Sequence, residues 1–163
     1  MALDFAFRRG FIDQLAQGSS LPETQSAGIF RAMLMAAGVM DQSGLTARFQ
    51  DVLASRREIL ELTLRFLHLS ARDVVNGLDD LLLELPAFMG QRETFALFRY
   101  DKAKTDDDAA IRATRPWVDY VTALSRAEAP QLAPHIPLAG AKRLLEVGGN
   151  TGVMSAAILD LHP

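Results

Sequence analysis

Up to about residue 128 the apolar positions recur at helical spacing, and only near the C-terminus does the pattern change. Phe5, Phe11, Ile12 and Leu15 predict a first helix that ends near Gly18. Ser20-Leu21-Pro22-Glu23 has the form of a capping box. The Ser20 hydroxyl would accept from the third backbone N–H of the turn, and Glu23 would reach back to the N–H of Ser20. The helix that follows is expected to carry Ile29, Phe30, Met33, Leu34 and Ala37 on one face, with Gly38 as its left-handed stop.

Asp41-Gln42-Ser43-Gly44 reads as a turn cluster. Beyond it, Phe49, Val52, Leu53, Ile59, Leu60, Leu64 and Leu67 make one broad apolar stripe. Val74, Val75, Leu78, Leu81, Leu82 and Leu85 make another, closed by Pro86, while Asp73, Asp79, Asp80 and Glu84 fall on a solvated opposite side. Each large apolar side chain gains roughly 1.5–3 kcal/mol on full burial, so these stripes need partner surfaces. Residues 102–108 read as a polar loop, and from Pro116 a helix bearing Trp117, Val121 and Leu124 runs to about Glu128. Pro130, Pro134 and Pro137 then mark a linker.

After Gly140 the period shortens. Arg143-Leu144-Leu145-Glu146-Val147 is a short apolar run of the kind a parallel strand buried on both faces requires. Gly148-Gly149-Asn150-Thr151-Gly152 is a loop, and Val153 to Leu161 an Ala-rich apolar helix. Strand, glycine loop and helix form the opening unit of a doubly wound α/β domain.

Composition narrows the chemistry. With 49% hydrophobic and 23% charged residues in 163, the chain has a globular rather than a disordered balance. Seventeen basic against twenty acidic residues give a net charge of −3, which argues against a nucleic-acid or anionic-membrane partner. The sequence has no cysteine, so disulfides, zinc thiolates and thiol nucleophiles are excluded. No apolar run approaches the roughly 18 residues of a membrane span, and the first residues lack a signal-peptide core. A cytoplasmic protein is expected.

The loop is the segment with binding potential. Glycines let backbone approach a ligand at the carboxyl end of a strand, and Asn150 tolerates positive φ where a third glycine often stands. Taken alone, such a loop serves equally well as a ligand site or a plain turn. Val153-Met154 after Gly152 lacks the Lys-Ser or Lys-Thr of a triphosphate-binding loop.

The run LLEVGGNTGVMSAAILDLHP, residues 144–163, resembles the first S-adenosylmethionine-binding motif of the O-methyltransferases. That family includes the plant caffeic-acid and the bacterial carotenoid and polyketide enzymes. The helical region ahead of it is similar in layout to the family's dimerisation domain. The resemblance implies a mainly α chain. A winged-helix-like dimerisation and acceptor-pocket domain would span residues 1–137, and the first βα unit of a Rossmann-like cofactor domain would begin at 138–163.

It further implies that Glu146, Gly148, Gly149 and Gly152 line the methionine end of S-adenosylmethionine, with Ser125 and Trp117 as additional cofactor contacts. Val121 stands where the family often has Met. The ribose-binding acid and the catalytic His base would lie beyond Pro163, so no catalytic residue is assigned within the chain. Methyl transfer to a hydroxyl of a small aromatic or polyketide-like acceptor is the implied reaction, and this polypeptide alone is expected not to turn over. Without neighbouring strands, residues 143–163 are expected to pack on the helices or a second chain, or to lose the family conformation.

Other candidates weigh less. His68 lies beside Leu67 and Leu69 in a helical stretch, His135 in the proline linker, and His162 after the motif helix. None is spaced as a metal ligand or a catalytic dyad. Asp106-Asp107-Asp108 offers carboxylates for a metal, but Asp at a helix start is favoured by the dipole and by capping alone, and no metal site is assigned. The apolar stripes predict a homodimer. Two further readings are a non-enzymatic helical dimerisation or regulatory module and a dinucleotide-binding enzyme.

Overall fold

A computed structural model describes residues 1–98 and 107–162. The chain is mainly α, and it divides into two compact units, residues 1–68 and 69–163.

In the first unit the predicted first helix is two: α1, Ala2–Arg8, and α2, Phe11–Ala16. Gly10, at φ +70°, turns the chain between them. The N–H groups of Gly18 and Ser19 return to the carbonyls of Leu15 and Gln14, closing α2 with a Schellman motif. The next helix, α3, is Gln25–Ala36, and its N-cap is Thr24, whose Oγ1 accepts from the Ala27 N–H at 3.1 Å. The capping box expected at Ser20–Glu23 does not form. Leu21 is buried and holds the chain non-helical until Thr24 offers the next capping hydroxyl. Gly38 stops α3 as expected, at φ +69°, with Gly38 and Val39 donating to Met35 and Leu34. The predicted face of α3 splits: Leu34 is fully buried and Phe30 half-buried, but Ile29 and Met33 face solvent.

Asp41 builds the expected turn. Its Oδ1 accepts from the Ser43 hydroxyl and from the Ser43 N–H, the latter at 2.7 Å, and the two hold its carboxyl below the ordinary carboxylate range. The long helix α4, Ala47–Asn76, is kinked at Arg56. Ile12, Leu15, Leu21, Leu34, Val39, Met40, Leu45 and Phe49 form the core of this unit, with Leu53 and Leu60 of α4 packed against it.

The second unit corrects the polarity expected for residues 73–85. Asp73 is buried and accepts from the Thr94 N–H at 2.7 Å, whereas Val74, Val75, Leu78, Leu82 and Leu85 are exposed. Asp80 pairs with Arg92 at 2.5 Å, and the Arg92 guanidinium lies so close to Gly77 that a Cβ there would meet it at 2.3 Å. A side chain at position 77 would therefore have to displace the Arg92 guanidinium from its place beside Asp80. Helices α5, Leu78–Leu83, α6, Leu85–Gln91, and α7, Glu93–Ala96, follow, and Pro86 opens α6 rather than only closing the helix before it.

Helix α8, Asp108–Leu132, starts eight residues before Pro116 and contains both Pro116 and Pro130. Both prolines are exposed, and each removes one backbone donor from the helical ladder. The expected linker is thus partly helix, continued by a 3₁₀ turn at Ala133–His135. Asp107 caps α8 by accepting from the Ala109 N–H, while Asp106 and most of the expected loop at 102–108 lie outside the described residues. Helix α9, Val153–Leu161, packs on α8 and on the 3₁₀ turn, with Ile158 buried there. Arg143–Val147 has no ladder partner among the described residues, and Leu145 and Val147 stand 85% and 90% exposed. The strand predicted there does not form, because an apolar run becomes a strand only where a neighbour supplies the hydrogen bonds.

Candidate functional site

Three residues of the glycine loop take left-handed backbone: Gly148 at φ +75°, Asn150 at +48° and Gly152 at +75°. A Cβ at Gly148 or Gly152 would meet nothing within 4 Å, so conformation rather than space requires glycine at these two positions. Gly149 differs. A Cβ there would lie 2.8 Å from the Glu146 carboxylate, which folds over the loop. Ser155, in the first turn of α9, donates its hydroxyl to Glu146 Oε2. One carboxylate oxygen is thereby engaged, and the group keeps acceptor capacity for a further donor. The Gly152 N–H closes the turn onto the Gly149 carbonyl at 2.7 Å, and Ala156 N–H to Gly152 O at 2.9 Å begins the helical ladder.

The loop is fastened to α8 by side chains. Asn150 Nδ2 donates to Thr122 Oγ1 at 3.1 Å and lies 3.5 Å from the Val118 carbonyl. Thr122 and Thr151 hydroxyls are 2.9 Å apart. Since Thr122 Oγ1 accepts from Asn150, its own proton is free to point at Thr151, and both polar groups are satisfied. Thr122 is buried, so its hydroxyl requires partners of this kind.

These contacts meet α8 between Trp117 and Ser125. Positions 118, 122 and 125 follow the i, i+4, i+7 spacing of one helix face, so half-buried Ser125 shares the face that receives the loop. Trp117 is engaged elsewhere: its ring stands edge-to-face on Phe98 at 4.5 Å and near Tyr120 at 5.7 Å. Phe88, Phe95 and Phe98 extend this aromatic row. Glu146, Gly148, Gly149 and Gly152 are thus gathered in one loop, Ser125 lies on the helix face against it, and Trp117 serves the aromatic row.

Thr122, Thr151 and Ser155 carry no signal in the sequence. A polar β-branched residue on a helix face is ordinary, and its partner stands 29 positions away. For a cofactor at this loop the observed features divide. Open left-handed glycines and a carboxylate at the loop's start suit a ligand that donates hydrogen bonds from an ammonium or hydroxyl. The supporting sheet is missing among the described residues.

His68 lies with its Nδ1 3.5 Å from buried Asp4, which also holds Arg8 at 2.9 Å, as a packed residue of the first unit. No helix among the described residues is long and apolar enough to cross a membrane. No family model matches the chain, and neither a curated protein nor a solved structure proved similar to it.

Proposed function

We propose that the chain carries the helical region and first cofactor loop of an S-adenosylmethionine-dependent O-methyltransferase acting on a small aromatic or polyketide-like hydroxyl compound. The observation that carries this reading is the left-handed backbone at Gly148, Asn150 and Gly152, directly before α9. These are the positions where the resemblance asks for glycine or its nearest substitute. S-adenosylmethionine, when bound, supplies an electrophilic methyl group for in-line displacement. Glu146 would accept from the cofactor's ammonium, Gly148 and Gly149 would let the backbone approach it, and Ser125 would bound the site from α8.

The finer fold belongs to the same proposal. Arg143–Val147 would pair as the first strand of a Rossmann-like sheet once parallel neighbours are supplied, and the helices before it would form a winged-helix-like dimerisation region. Exposed Ile29 and Met33 on α3, and Val75, Leu82 and Leu83 in the second unit, offer apolar surface for a homodimer. A cytoplasmic setting fits the cysteine-free composition.

The unpaired run Arg143–Val147 favours a second reading, a non-enzymatic helical dimerisation module. Calorimetric titration with S-adenosylhomocysteine, on the chain and on Gly148→Val, separates the two. The methyltransferase reading expects weak binding, about 4–6 kcal/mol, that the variant loses. Equal binding by the variant would remove the loop from the site, and no binding by either would favour the helical module.

A further inference from the structure

The first unit contains a pocket of about 210 Å³. Phe5 of α1, Phe11 of α2 and Phe30 of α3 wall it, with Leu21 and Ala27 completing the apolar lining. The three rings contact one another at 5.9, 5.5 and 5.8 Å between centroids, edge-to-face or tilted. Each ring is braced by the other two, so the walls are set before anything enters. Leu21 is buried beneath, held by the same chain segment that delays α3 until Thr24. Thr24 and Ser26, both exposed, are the hydroxyl-bearing residues of the lining. Thr24 Oγ1 accepts from the Ala27 N–H, which leaves its proton available to an acceptor outside.

Such a space is larger than the roughly 150 Å³ apolar cavity that holds a benzene molecule, and is of the right order for one ring with a short substituent. Aromatic walls favour an aromatic guest over an aliphatic one of equal size, because ring edges and faces are attracted in offset and perpendicular arrangements. Ligand pockets elsewhere share this make-up of apolar walls and a few polar groups that orient the guest. We infer that the pocket among Phe5, Phe11, Phe30 and Leu21 binds a small single-ring aromatic compound with one hydrogen-bond acceptor, taken up ring first. The acceptor is held by the hydroxyl of Thr24 or Ser26. The inference stands apart from the reading of the glycine loop, since no residue is shared.

The test uses 4-ethylphenol as probe, with 4-ethylcyclohexanol as a size-matched aliphatic control, and follows the methyl resonances of Leu21 and Ala27 in the full chain. Saturable shifts at both methyls below about 10 mM, at least threefold tighter for the phenol, are expected. Ala27→Leu fills the pocket from a helical position and is expected to weaken binding tenfold or more with unchanged circular dichroism. Phe30→Leu, which keeps the apolar lining, is expected to erase the preference for the aromatic probe. Absence of saturable shifts, or equal binding by Ala27→Leu, would overturn the inference. So would equal affinity for the two probes in the parent chain, or a concentration-dependent dimer that protects Leu21 and Ala27 from the probe.

Discussion

Removing the Thr122 hydroxyl tests whether the glycine loop is held by α8. Thr122→Val keeps the side-chain shape and deletes the group that accepts from Asn150 at 3.1 Å and faces Thr151 at 2.9 Å. Two neutral hydrogen bonds contribute roughly 0.5–1.5 kcal/mol each. Asn150 and Thr151 are exposed, so both recover water when released, and the net loss falls to about 1 kcal/mol. That loss is local. Amide exchange at Gly152 and Ala156 should quicken by roughly fivefold, while amides around Ala110 and Ala129, elsewhere in α8, should keep their rates. Thr122→Ser should restore parent behaviour. Asn150→Gly preserves the left-handed backbone and removes only the amide, so a double-mutant cycle with Thr122→Val should show coupling of about 0.5–1 kcal/mol. Unchanged exchange at Gly152, or acceleration spread evenly over α8, would refute the view that these side chains fasten the loop.

Other outcomes follow from the first unit. Leu34 is fully buried, and Leu34→Ala should lower its unfolding free energy by about 3–4 kcal/mol, read from the urea midpoint. Gly38→Ala places a Cβ at φ +69° and should cost about 1–2 kcal/mol, whereas Gly28→Ala inside α3 should gain about 0.5–1 kcal/mol. Asp13 is held below its ordinary 3.8 chiefly by the hydrogen bond from Arg57, so its contribution is present above that value and fades as pH falls through the lowered one. Because Arg57 and Asp13 are 43% and 47% exposed, Asp13→Asn should cost under about 1 kcal/mol at pH 7, less in high salt, and progressively less as the carboxyl protonates in acid.

The parts of the fold legible in the sequence are those that backbone chemistry decides locally. Gly38 ends α3, Asp41 builds a turn and Asn150 adopts positive φ, each for reasons carried by one residue and its neighbours. The start of α3 was not legible, because Ser20 and Thr24 both offer a capping hydroxyl and only the burial of Leu21 chooses between them. Pro116 and Pro130 mark boundaries by propensity, yet α8 runs through both, at exposed positions. Periodicity alone puts Asp73 on a solvated face, and its burial depends on the Thr94 N–H, 21 positions away. The apolar run Arg143–Val147 carried the composition of a strand without its neighbours, and pairing is a property of two chains segments rather than one. In the candidate site the loop itself was legible and its attachment to Thr122 was not.

The central claim is that Gly148–Gly152 is a methionine-side cofactor loop. Backbone amide shifts followed during titration with S-adenosylhomocysteine, and separately with NAD, address it most directly. The account predicts saturable shifts with S-adenosylhomocysteine at Val147 to Gly152 and at Ser155, lost in Gly148→Val, with no comparable response to NAD. Shifts confined to other segments, or a stronger response of the same loop to NAD, would contradict it.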